Sequence, residues 1–143
     1  NDANHISGPS RTGEGLFRAL SRTLEDLPRD EIAFICAHGT ATSFNDQMEA
    51  IAITRAGLQH TPVFSLKAHF GHTMGAAGVL ESIISMKALE DGIILPSLGY
   101  EEPGIEGGLN ISTATVHTNK RYIIKTLSGF GGCNAALLYQ THS

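Results

Sequence analysis

Two histidines and a lysine stand where apolar runs give way to small residues. His38 follows I-A-F-I-C (Ile32–Cys36) and opens A-H-G-T-A-T-S, while Lys67 follows P-V-F-S-L (Pro62–Leu66) and begins K-A-H-F-G-H-T-M-G-A-A-G, which also holds His69 and His72. Short continuous apolar runs of this kind belong to strands buried on both faces, and the ends of such strands are where α/β sheets build sites. A cation or an imidazole buried among apolar neighbours is costly unless paired. An ammonium close to an imidazole disfavours the imidazolium, so Lys67 with His72 predicts a neutral ring that donates an N–H. Small residues beside His38 leave room for a ligand and for close backbone approach. Taken singly, each has a plainer alternative: His38 as a loop histidine bonded to a carbonyl, Lys67 as a snorkelling side chain at a strand end.

Three further groups bear on the same chemistry. Glu81 has Ala77, Gly78, Ile84 and Ser85 three and four residues away on a predicted helix, so no cation on its own helix pairs with it. A buried glutamate of this kind needs a partner or a bound ion elsewhere. The turn G-F-G-G-C-N (Gly129–Asn134) flanks Phe130 with glycines, which frees backbone N–H groups to point into a cavity as an oxyanion hole requires; a plain hairpin turn is the alternative. His69 and His72 form an H-x-x-H, yet no cysteine or carboxylate stands at ligand spacing, so the metal signal is weak. Gly71, Gly75 and Gly78 match neither dinucleotide nor P-loop spacing, and G-A-A-G is read as a close helix contact.

The elements that position these residues follow from periodicity. Residues 1–12 read as a leading loop with Gly8, Pro9 and Ser10. Leu16, Phe17, Leu20, Leu24 and Leu27 recur at helical spacing over 13–26, and Pro28 ends that helix. A second helix follows His38, carrying Met48, Ile51, Ala52, Ala56 and Leu58, with Ser43 or Asn45 as its cap and Asp46 and Glu49 in its first turn. Residues 73–90, with apolar side chains around most of the circumference, read as a core helix. After a turn-rich stretch, 99–108, containing Pro103, a short strand is expected at Leu109–Ile111. An antiparallel pair over 122–127 and 135–139 then closes on the glycine-rich turn. Two α/β units followed by a hairpin imply an α/β fold with a mixed five-stranded sheet and helices on both faces.

Composition narrows the function classes. The 143 residues suit one domain, and the net charge of −4 with no basic run offers no nucleic-acid footprint. No stretch is long and apolar enough for a membrane span. Cys36 and Cys133 both sit in apolar stretches, which argues against a disulfide framework and for a reducing cytoplasm. A first residue of Asn1 rather than Met is expected of a piece of something longer.

His38 with G-T-A-T, Lys67–Gly78 and the G-F-G-G-C-N turn resemble, in the same order, the second half of β-ketoacyl-[acyl-carrier-protein] synthases, condensing enzymes of the thiolase superfamily. The resemblance covers nearly the whole chain and implies a thiolase-like half domain over 1–143. It implies decarboxylative Claisen condensation of an acyl thioester with a malonyl thioester on acyl carrier protein, in fatty-acid or polyketide synthesis. No cofactor is expected beyond the carrier's phosphopantetheine. By the same resemblance, His38 and His72 hold the malonyl thioester carbonyl and Lys67 supports the network around the second histidine. Glu81 is the structural glutamate that often helps hold a monovalent cation. Phe130 supplies an oxyanion-hole N–H and gates the acyl pocket, with Gly131 beside it, and Thr40 and Thr42 meet the phosphopantetheine arm.

The departures from the family pattern carry their own expectations. The family's nucleophilic cysteine lies in the first half of the fold, and neither Cys36 nor Cys133 occupies its place. The segment alone is therefore expected to be inactive, to expose apolar surface, and to act only within a full-length homodimer that meets acyl carrier protein. Ser128 stands where many members carry a phenylalanine, which alters the acyl pocket. Lys125 replaces a small residue near the cation position, so its ammonium is expected to substitute for that cation beside Glu81. The competing readings are a non-catalytic chain-length or scaffold partner and a histidine-based metal hydrolase.

Overall fold

A computed structural model of the chain describes residues 2–5, 8–100 and 108–141. Its centre is a four-stranded sheet in the order β4 (Val63–Phe64), β3 (Ile32–Cys36), β7 (Tyr122–Gly129), β8 (Cys133–Gln140). β3 runs parallel to both neighbours, and β7 and β8 form an antiparallel hairpin in register from Tyr122↔Gln140 to Gly129↔Cys133. Every residue of β3 is buried, as expected of a central strand covered on both faces.

Helices cover the two faces. α1 (Glu14–Thr23) and α2 (Ser43–Arg55) pack Leu16, Leu20, Met48, Ala52 and Ile53 against Ile35 and Ile124. On the opposite face α4 (Ala77–Glu90) sets Ala88 and Leu89 against Phe34, Phe64 and Ile123. The cap of α1 is Gly13, whose φ of 61° lies in the left-handed region and on which a Cβ would stand 2.8 Å from the Met48 carbonyl oxygen. Only glycine permits so close an approach of the two helices.

The sheet differs from the expected five strands at one edge. Leu109–Ile111 contributes an isolated parallel bridge, Val63↔Ile111, with Val63 N–H donating to Asn110 O at 2.9 Å. Two small antiparallel pairs were not foreseen: β1 (Ala3–His5) with β2 (Gly8–Pro9), inside what reads as a loop, and β5 (Ile93–Ile94) with β6 (Val116–His117). Strands of two or three residues are too short to show a period of two, so composition alone registers them as loop. Residues 101–107 of the predicted turn, Pro103 included, lie outside the described residues.

The 73–90 segment is also corrected. It opens as a 3-10 turn, Met74–Ala76, and becomes α-helical only at Ala77. Nor is it buried all round: Val79 is 66% and Ile83 56% exposed, whereas Glu81, Ser82 and Ser85 face inward. Two of these polar side chains meet partners there: Tyr139 Oη donates to Ser82 Oγ at 3.0 Å, and Glu81 Oε1 lies 2.8 Å from Lys67 Nζ. Leu137 and Leu138 of β8 are also exposed. Among the described residues no helix is long and apolar enough to cross a membrane.

Candidate active site

Lys67, which opens the short helix α3 (Lys67–Phe70), points its ammonium inward, where Nζ lies 2.8 Å from Glu81 Oε1. The second oxygen of Glu81 lies 2.6 Å from Lys125 Nζ, so one buried carboxylate stands between two buried ammoniums. Burial alone would raise the Glu81 carboxyl; Lys125 foremost, then Lys67, overcome that effect and hold it below the usual carboxylate value.

Lys67 Nζ also lies 3.4 Å from Nδ1 of His38. An ammonium has only donors, so Nδ1 accepts and the neutral ring carries its proton on Nε2. The imidazole next to Lys67 is thus His38, not His72 as expected from the sequence. His72 shares a motif with Lys67 along the chain, but the parallel neighbours β3 and β4 bring His38 to the ammonium. Burial first, then Lys67, Lys125 and His72, lower His38 to about 4, so the ring is neutral at pH 7.

The sign of that shift makes a prediction. Between pH 6.5 and about 4 the unfolded chain binds a proton at His38 that the folded chain does not. Stability attributable to this residue is therefore complete above pH 6.5 and falls on acidification through that window. The loss is on the order of 3 kcal/mol. In urea unfolding at pH 7 and pH 4.5, His38→Gln is expected to lose less stability on acidification than the parent; equal losses would contradict a buried neutral imidazole.

The backbone of the His38 loop is held by a residue the sequence reading assigned only to a helix turn. Glu49, buried on α2, accepts His38 N–H at 2.9 Å and Gly39 N–H at 2.6 Å, and Thr126 Oγ1 donates to it at 2.8 Å. Like Glu81, Glu49 has no cation three or four residues away on its helix. The same signal would have found it. Asp46 accepts Thr40 N–H at 3.1 Å, and burial raises its carboxyl. The cap of α2 is Thr42, so Ser43 and Asn45 lie inside the helix rather than before it. Gly39, at φ 38°, passes so close to Ser65 that a Cβ would stand 2.7 Å from the serine Cβ.

His72 is fixed from its own side. Its Nδ1 accepts Met74 N–H at 3.1 Å, which leaves Nε2 to carry the proton of the neutral ring. Met74 takes a left-handed φ of 51°, a conformation that costs a non-glycine residue about 1 kcal/mol or more. The His38 and His72 rings meet edge to face with centroids 5.3 Å apart. Both line a cavity of about 860 Å³, together with Thr40, Thr42, Phe130 and Gly131. Thr40 Oγ1 and Thr42 Oγ1 are 2.8 Å apart across Ala41, itself at a left-handed φ of 58°. Two imidazole N–H donors on one cavity wall can stabilise negative charge developing on an oxygen between them.

The glycine-rich turn closes the far wall. Phe130–Gly132 forms a single 3-10 turn between β7 and β8, with Phe130 74% exposed at the cavity edge. Ser128 Oγ donates to Asn134 Oδ1 at 2.9 Å, and Asn134 Nδ2 to Gly132 O at 3.1 Å, so the serine braces the turn. The glycine helix contact resolves unequally: a Cβ on Gly78 would stand 3.0 Å from Leu127 Cδ1, whereas Gly75 has nothing within 4 Å. Gly78 packs the helix; Gly75 lines the cavity.

Outside the cluster, His69 is exposed and stacks on Phe70 at 5.9 Å. Among the described residues no three His, Cys, Asp or Glu side chains converge as a metal-ligand set. Cys36 is fully buried and burial pushes its thiol up, away from the reactive thiolate; Cys133 is exposed at the cavity edge.

Comparison with known proteins adds an independent line. Residues 1–101 match the family model described as "Beta-ketoacyl synthase, C-terminal domain", a span that contains His38, Lys67, His72 and Glu81. The chain is 38% identical over 141 residues to 3-oxoacyl-[acyl-carrier-protein] synthase 1 of Escherichia coli, covering 96% of this chain and 34% of that one. Over 150 residues it is 35% identical to 3-oxoacyl-[acyl-carrier-protein] synthase 2 of Rhizobium meliloti, covering 99% and 35%. The crystal structure of a beta-ketoacyl synthase from Burkholderia phymatum superposes with a TM-score of 0.90 at 31% identity, covering 99% of this chain and 35% of that one. The chain thus spans about a third of the length of the relatives it matches.

Proposed function

Because the chain belongs to the beta-ketoacyl synthase family, through its C-terminal domain, we propose that it carries the decarboxylation half of a 3-oxoacyl-[acyl-carrier-protein] synthase site. The observation that supports this most directly is the neutral His38, its Nδ1 occupied by Lys67, sharing one cavity wall with His72.

The malonyl thioester carbonyl oxygen accepts the Nε2–H groups of His38 and His72. The bond between the α-carbon and the carboxylate breaks, carbon dioxide leaves, and the electron pair enters the enolate whose oxygen the two N–H groups stabilise. Neutral donors suit this step, because an imidazolium would protonate the enolate instead. The enolate carbon then attacks the thioester carbonyl of an acyl chain held on a cysteine outside these residues. The tetrahedral oxyanion accepts the Phe130 N–H, the thiolate leaves, and a 3-oxoacyl thioester remains on the carrier. Thr40 and Thr42 meet the phosphopantetheine arm, and Gly131 keeps the turn low beside the acyl chain. Glu81 acts through Lys67, which orients His38.

The partners are acyl carrier protein and a second copy of the full-length chain, and the pathway is fatty-acid or polyketide synthesis. A non-catalytic partner would have no use for two rings whose Nδ1 atoms are both engaged and whose Nε2 atoms are left to donate. The test is carbon dioxide release and 3-oxoacyl product from malonyl- and acyl-carrier protein with the intact protein. Absence of both under conditions where the acyl chain loads would end the proposal, and an acyl adduct on Cys36 or Cys133 would overturn the placement of the nucleophile.

A further inference from the structure

The family resemblance implies a monovalent cation beside Glu81, and the residues present do not fit one: the position is taken by the ammonium of Lys125. Nζ of Lys125 lies 2.6 Å from Glu81 Oε2 and donates to three backbone carbonyls, Thr126 O at 2.8 Å, Ala37 O at 3.1 Å and Cys36 O at 3.3 Å. The side chain is wholly buried. Four oxygens from three separate segments therefore converge on one positive charge, as they would on a small bare ion.

We infer that Lys125 is a tethered cation filling an oxygen cage, so that the protein holds its site together without a dissolved monovalent ion and becomes dependent on one when Lys125 is made small. The charge count supports a monovalent rather than a divalent occupant. Glu81 carries one negative charge between the ammoniums of Lys67 and Lys125, and a monovalent ion in place of Lys125 restores the same balance, whereas a divalent ion adds a second uncompensated charge in a buried site. The Cys36 side chain adds no charge, since its thiol is buried and kept protonated. The cage also bears on geometry: two of its carbonyls, Cys36 and Ala37, lead directly into His38, so whatever fills it positions the catalytic loop from behind. The inference rests on the cage and stands apart from the proposed reaction.

The experiment is thermal unfolding of the intact protein at one ionic strength in potassium, sodium and tetramethylammonium chloride. The parent is expected to give the same Tm in all three. Lys125→Ser, which empties the cage and offers it a fifth oxygen, is expected to fall by about 5–10 °C in tetramethylammonium and to recover saturably in potassium or sodium. Lys125→Met, which fills the space without charge, is expected to fall with no ion-specific recovery. In crystals soaked in rubidium, anomalous signal is expected in the cage of Lys125→Ser and not of the parent. A saturable ion-specific gain in the parent overturns the inference. Equal Tm values for Lys125→Ser in the three salts overturn it too, as does a Lys125→Ser protein that folds in none of them, because potassium then fails to replace the ammonium.

Discussion

Replacing Glu81 by Gln is expected to cost the protein about 3–5 kcal/mol of stability, the range found when one partner of a buried ion pair is removed. Shape is preserved, so the loss is electrostatic. The side chains of Lys67 and Lys125 are 7% and 0% exposed, and without the carboxylate neither buried ammonium keeps its counter-charge. A glutamine cannot serve both, since its oxygen accepts from one lysine while its NH₂ group turns a donor toward the other. The loss should appear in urea unfolding as a lower midpoint with an unchanged slope. Because the folded Glu81 pKa lies below its ordinary value of 4.5, this contribution is present above that value and is lost as pH falls through the folded pKa. Adding Lys125→Met to Glu81→Gln should recover part of the loss, a coupling expected only of groups in contact. A Glu81→Gln protein within about 1 kcal/mol of the parent would contradict the buried triad.

The second large effect concerns rate. His38→Ala and His72→Ala are each expected to lower the rate of carbon dioxide release about 10²- to 10³-fold, the usual loss when one preorganised donor to a developing oxyanion is removed. Combining them should cost far less than the product of the two, because the pair acts as a unit. Glutamine at either position keeps an N–H donor and should retain more activity than alanine. Loading of the acyl chain should survive in all of these variants, since it precedes the step in which the histidines donate. Acyl loading measured by mass spectrometry therefore separates a lost donor from a damaged fold. If loading and decarboxylation fall together, the two histidines are not acting as donors to the enolate.

Much of this protein was legible before any coordinates. The run Ile32–Cys36 reads as a strand buried on both faces, which β3 is. The G-F-G-G-C-N turn between two apolar runs favours a hairpin, and Glu81, lacking a cation on its own helix, needs a partner or a bound ion elsewhere. These features are local: each depends on residues within a few positions of one another, where period, turn chemistry and charge spacing are direct physical signals. That Lys125 meets Glu81 was expected from the family comparison, and the distance of 2.6 Å bears it out.

What tertiary structure alone decided is which distant groups meet. Spacing along the chain paired Lys67 with His72; the fold gives Lys67 to His38, because β3 and β4 lie side by side and deliver their ends to one place. The same spacing made 73–90 a core helix, whereas the inward face of α4 is the one bearing Glu81, Ser82 and Ser85. Hydropathy registers what a side chain would prefer in isolation and is silent about a partner waiting across the core. Glu49 shows the limit most plainly. The lack of a cation three or four residues away marks it, like Glu81, as a carboxylate in need of a partner, but only the approach of β3 and β7 to α2 makes it the buried acceptor that holds His38 in place. Sequence by itself determined the elements and the kinds of residue the site would use; the packing of those elements determined their partners, because burial and hydrogen bonding between residues far apart in the chain exist only once the chain has folded.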